Sequence, residues 1–231
     1  YVDTFSSSKG FPRSACFHQG RLYFGGSKSR PSTIFASRVN EFFNFNPGEG
    51  NADDAFTATL DTSQLNAIVD IISANYLQIF TTGGEFFAPQ EFSDPLTPTN
   101  FIAKLQSSHG SKESIRVQNV AGNTLFIQRQ GKALNEFLYS SGEDAYTSTQ
   151  ISLLSSHLLN NPTDMSIRKT TSTDEGDRLA IVNSTDGSMA IYTLLRDQNI
   201  VAASKFTTDG TFLNIATVVS DQYVAVKRVI N

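Results

Sequence analysis

The sequence predicts an all-β protein, β-propeller-like, made of about five antiparallel meander repeats. Three observations carry this expectation. A turn residue followed two positions later by a short β-type run recurs along the chain, glycine follows most of these runs, and a further strand-like segment lies on either side. The recurrent runs start at Leu22, Leu77, Leu125, Leu179 and Tyr223, behind Gly20, Asn75, Asn123, Asp177 and Asp221, at intervals of roughly 44 to 55 residues. Spacing of that size suits one propeller blade per repeat. A β-sandwich also turns at short intervals but has no reason to repeat this signature at blade spacing.

Each element follows from local chemistry. The runs are Leu22-Tyr23-Phe24, Leu77 to Phe80, Leu125-Phe126-Ile127, Leu179 to Val182 and Tyr223 to Val226, rich in the branched and aromatic side chains that fit a pleated surface. Strands are expected before them at Ser14 to Phe17, Ala67 to Ile71, Ile115 to Val120, Met165 to Ile167 and Phe212 to Val218. After the first four, Gly25-Gly26, Gly83-Gly84, Gly131 and Gly187 are expected to supply the positive φ of tight hairpins. Strands then follow at Thr33 to Ala36, Glu85 to Ala88, Leu134 to Tyr139 and Met189 to Leu194. One helix is expected, Ile151 to Leu159, where leucines recur at helical intervals before Asn160-Asn161-Pro162. Segments 46–56 and 89–100, rich in Pro and Gly, are expected to be long surface loops. The organisation implied is a single β-propeller-like domain over 1–231, a fragment of a longer chain.

Composition narrows the function. With 231 residues, 39% of them hydrophobic, and 18 Phe, the chain can build a real core. Eighteen basic against 22 acidic residues give a net charge of −4 with no Lys/Arg run, so tight nucleic-acid binding is not expected. The stretch from Leu65 to Phe80 is interrupted by polar residues and too short to span a bilayer, so no membrane insertion is expected. Cys16 is alone and flanked by apolar residues, which reads as a reduced core thiol.

Little in the sequence points to catalysis. His18, His109 and His157 lie far apart with no partner at metal-ligand spacing, His18 in a hairpin, His157 in the short helix and His109 exposed. There is no nucleophile elbow, phosphate loop or dinucleotide fingerprint. Ser172 to Asp177 partly resembles the Asp-box hairpin of sialidase-type propellers, with Arg178-Leu179 where Thr-Trp would follow. Acidic residues occur singly or in turns, as at Asp53-Asp54, Glu143-Asp144 and Asp174-Glu175. The expectation is a protein that is not an enzyme and carries no cofactor or metal. Exposed aromatics at Phe42, Phe43, Phe86 and Tyr146 would instead suit a carbohydrate-binding or glycan-processing propeller, and a cellular scaffold propeller is a third reading.

Ordered motifs go further. Gly10-Phe11-Pro12-Arg13 precedes Phe17-His18-Gln19-Gly20-Arg21-Leu22 and Gly25-Gly26, followed by Pro31-Ser32-Thr33-Ile34-Phe35-Ala36-Ser37 and Phe42-Phe43-Asn44-Phe45. Thr81-Thr82-Gly83-Gly84-Glu85, Leu96-Thr97-Pro98 and Val226-Lys227-Arg228 come later. This series resembles the tail nozzle, or tail tubular, proteins of short-tailed phages and related prophage tails, across nearly the whole chain. Phe86 and Tyr192 stand where that family carries tryptophan. The resemblance implies a viral structural protein located in the virion, part of the tail conduit for DNA ejection. Its implied partners are other tail proteins and identical subunits in a ring, with a host surface receptor or glycan as a further partner. It also marks Pro12, Arg13, Arg21, Leu22, Gly25, Gly26, Pro31, Ser37, Phe45, Gly83, Gly84 and Arg228 as framework positions.

Overall fold

The computed structural model of the chain describes residues 4–62, 66–90, 95–120, 122–170, 175–195, 198 and 200–229. The fold is all-β and β-propeller-like, with antiparallel four-stranded sheets. Two compact units divide the chain, residues 1–113 and 114–231.

The first unit holds two sheets. Strands β1 (Ser14–His18), β2 (Arg21–Gly25), β3 (Thr33–Ala36) and β4 (Phe56–Thr59) pair in sequence order, as do β5 (Ile68–Ser73), β6 (Leu77–Thr81), β7 (Glu85–Ala88) and β8 (Lys104–Ser107). Tyr23, Ile34 and Ala36 of the first sheet bury against Ile68, Ile71, Leu77, Ile79 and Phe86 of the second. Side chains alternate across a strand, so this pattern buries one face of each sheet against the other.

The second unit holds β9 (Gln118–Val120), β10 (Asn123–Ile127), β11 (Leu134–Ser140) and β12 (Ala145–Gln150) in one sheet, and β13 (Pro162–Arg168), β14 (Asp177–Asn183), β15 (Met189–Leu195) and β16 (Ile200–Phe206) in the next. A hairpin of β17 (Thr211–Val218) and β18 (Asp221–Lys227) ends it. Strand β14 explains the layering. Leu179 and Ile181 join a core with Leu125 and Leu134, while Ala180 and Val182 join Phe212 and Ile215 on the opposite face. A strand buried on both faces is apolar at consecutive positions, as Leu179-Ala180-Ile181-Val182 is.

Every recurrent run lies on a strand, second in its sheet for the four complete sheets. Two expectations are corrected. No α-helix spans 151–159; only Ser156–Leu158 form a single 3₁₀ turn. The segment is instead tied to β11, because Ile151 N–H donates to the Leu134 carbonyl (3.0 Å) and Leu134 N–H donates to Ser152 Oγ (2.9 Å). Ile151, Leu158 and Leu159 reach the core without an α-helix, while Leu154, which helical spacing would place with them, is 94% exposed. The second correction concerns glycine. Gly26, Gly131 and Gly187 have positive φ, whereas Gly25, Gly83 and Gly84 do not. Those three are small because neighbours crowd them: a Cβ on Gly25 would lie 2.7 Å from Ile71 Cδ1, and one on Gly84 would lie 2.8 Å from the Ser107 carbonyl oxygen.

Candidate functional site

The site begins with one buried cation. Arg21 is 1% exposed, and its Nη1 donates to the carbonyls of Ser37 (2.6 Å) and Asp54 (2.7 Å). Nη2 donates to the Ala52 carbonyl at 2.5 Å, and the guanidinium lies 5.4 Å from the Phe56 ring centroid. A planar fork with fixed donors can hold three carbonyls at once, so Arg21 pins both ends of the 38–54 segment to the first sheet. Asp54 completes the clamp. It accepts N–H bonds from Glu49, Gly50 and Asn51, and the Asn51 N–H leads the causes that hold its carboxyl below the usual range. Arg38 pairs with Asp53 at 2.7 Å. In the same way the hairpin turn Gln19-Gly20, with φ of 47° and 70°, accepts the Asn40 N–H through the Gly20 carbonyl at 2.7 Å.

Held this way, residues 40–47 form one wall of an open groove of about 890 Å³. Phe45 turns inward and stacks on Phe24, with centroids 5.3 Å apart. Phe42 meets Phe17 edge-on at 5.0 Å, and Phe43 is 94% exposed. Thr4, Asn40, Asn44, Asn46 and Glu41 share the lining. Asn44 Nδ2 donates to Glu41 Oε2 at 2.7 Å, and Asn46 N–H donates to Asn44 Oδ1 at 3.0 Å. The result is a surface that offers an exposed aromatic ring together with amides and a carboxylate, suited to a ligand with both apolar faces and hydroxyl groups. Of the four aromatics expected to be exposed, Phe86 and Tyr146 are instead buried at 2% and 3%. Phe86 packs in the core of the first unit and Tyr146 stacks on Phe137 with centroids 4.6 Å apart, which period-two reading at a single position does not reveal.

Most framework residues of the sequence cluster around the first sheet. Leu22 N–H donates to Ser37 Oγ (2.9 Å), and the buried Ser37 returns its N–H to the Leu22 carbonyl (2.9 Å). Arg13 follows Pro12, donates its backbone N–H to Gly25, and ion-pairs through its side chain with Glu113 at 2.6 Å. Gly26, at φ 77°, leaves room that a Cβ would deny, since it would lie 2.5 Å from the Ile68 carbonyl oxygen. The Pro31 carbonyl accepts the Ile68 N–H at 2.8 Å. Gly83 and Gly84 sit apart, at the β6–β7 turn, and exposed Arg228 donates to Thr208 Oγ1 at 3.3 Å.

Remaining ionisable groups do not join the groove. His18 is buried, with Nδ1 2.8 Å from Ser73 Oγ, and burial pushes its pKa down. His109 and His157 are exposed, and burial pushes the Cys16 thiol up to about 12. No group of three or more His, Cys, Asp or Glu among the described residues is placed to hold a metal ion. Half of the partial Asp-box, residues 172–174, lies outside the described residues. Sequence reasoning missed Glu85 as an ionisable core residue. It is fully buried, bonded by the hydroxyls of Ser107 and Ser111 (3.0 Å for the latter), and burial raises its pKa to about 7.

No family model and no curated protein matches the chain. The solved structure of dihydro-heme d1 dehydrogenase NirN in complex with DHE, a β-propeller fold, aligns with 96% of this chain and 53% of its own, at 12% identity and a TM-score of 0.54. This chain therefore spans about half that protein's length. A luciferin-regenerating enzyme aligns with 94% of this chain and 84% of its own at 10% identity, but its TM-score of 0.38 is too low to argue from. The comparison with NirN corrects the expectation that the chain is not an enzyme. A dehydrogenase is built on this same fold, so a repeat of hairpins without a sequence motif gives no ground for excluding catalysis.

Proposed function

We propose that the chain is a structural and docking module of a phage tail, in the nozzle that forms part of the conduit for ejected DNA. The observation that carries this reading is the ordered series of nozzle-like motifs, whose residues from Pro12 to Phe45 make up the clamp and turns of the first sheet. Identical subunits joined in a ring need broad surfaces and rigid loops, and the clamped 38–54 loop is of that kind. Quantitative mass spectrometry of purified particles, with electron microscopy of the intact parent protein, tests it. The expected result is a fixed copy number per tail and ring-shaped oligomers. Absence from particles, together with a monomer at high concentration, would overturn it.

A second reading is a carbohydrate-binding or glycan-processing propeller. It is favoured by the groove, where the exposed Phe43 ring shares the lining with amides and a carboxylate, and by a fold shared with an enzyme. Glycan binding or sugar release by the intact chain, with no association with particles, would select it over the first.

A further inference from the structure

We propose that the groove lined by Asn40, Glu41, Phe42, Phe43, Asn44 and Asn46 binds a pyranose unit of an uncharged glycan, with Phe43 as the stacking platform. The inference rests on the carbohydrate-binding reading and gives it a site. Phe43 is 94% exposed, so apolar ring surface faces water in a loop that is otherwise firmly anchored. Anchoring comes from below, through Phe45 on Phe24 and the carbonyls held by Arg21, none of which depends on Phe43. A ring displayed on a preorganised loop loses little freedom when a ligand docks on it.

The polar lining selects the ligand. A pyranose presents a C–H face that covers an aromatic ring and equatorial hydroxyls that both donate and accept. Carboxamides at Asn40 and Asn46, both exposed, and the Glu41 carboxylate match those hydroxyls. A lipid chain would desolvate these amides and the carboxylate without returning hydrogen bonds. Charge excludes anions: the 38–54 segment holds Arg38 alone against Glu41, Glu49, Asp53 and Asp54, which repels phosphates and acidic sugars.

The experiment is an array of immobilised uncharged bacterial and plant oligosaccharides probed with the intact chain, followed by calorimetric titration of the best binder. The expected result is binding that Phe43→Ala weakens about tenfold or more, the loss of one stacked aromatic contact. Phe43→Trp is expected to retain it, and Glu41→Gln to weaken it. Circular dichroism keeps folding under control, since an exposed ring contributes little to stability. Binding that persists unchanged in Phe43→Ala overturns the groove while leaving the carbohydrate reading intact. No binding to any oligosaccharide overturns both, and leaves the tail reading untouched.

Discussion

At the residue scale two buried charges have opposite characters. Arg21 is held by three carbonyls and a ring, and truncating it leaves the Ser37, Ala52 and Asp54 carbonyls without this donor. Arg21→Met is expected to destabilise the fold by about 2–4 kcal/mol, and Arg21→Lys to rescue only part of that, because a point charge cannot span the fork. Urea denaturation measures it, and a Met variant within about 0.5 kcal/mol of the parent would refute the clamp. Glu85 behaves differently because burial outweighs the serine hydroxyls and raises its carboxyl from 4.5 to about 7. A folded pKa above the unfolded one means that the folded state binds the proton more tightly. Its contribution is therefore fully present below about pH 4.5 and is lost as pH rises to about 7, a change of roughly 3 kcal/mol at most. Melting curves from pH 4 to 8 are expected to show this decline in the parent and to lack it in Glu85→Gln. Equal slopes in both proteins would assign the pH dependence to other groups.

At the element scale the second strands were legible because their residues are apolar at consecutive positions and glycine follows most of them. The outer strands β4, β8, β12 and β16 were not. Lys104–Ser107 and Ala145–Gln150, for example, mix exposed polar residues with small ones and lack the run of branched and aromatic residues that marks a strand. Pairing with β3, β7, β11 and β15 makes them strands, and that is a tertiary fact. The 151–159 segment failed in the opposite direction: its leucines had helical spacing, but bonds to β11 claimed its backbone. The β17–β18 hairpin carries a further consequence. Its tight turn places Val219, a β-branched residue 86% exposed, at φ 57°, a region open to glycine at low cost. Val219→Gly is expected to stabilise the chain by about 1 kcal/mol. A fall in melting temperature on this substitution would show that the turn adopts another geometry.

At the scale of the whole molecule, charge and repetition set the behaviour. With a net charge of −4 and its basic residues dispersed, the chain is expected to show no mobility shift with duplex DNA at about 0.15 M salt, because few phosphates would be neutralised and few counterions released. A micromolar complex that weakens steeply with added salt would contradict this. A wall without grip on the polyanion it surrounds would suit the conduit proposed above. What the sequence determined by itself is the all-β class, the repeat and the inner strands, because hydrogen-bonded hairpins follow from near-neighbour patterns of branched residues, aromatics and turn formers. Only the tertiary structure decided which aromatics face water, which glycines are small for crowding instead of for φ, and that Arg21 reaches carbonyls up to 33 residues away. Burial and long-range bonding depend on which surfaces meet after the chain folds back, and no local pattern encodes that meeting.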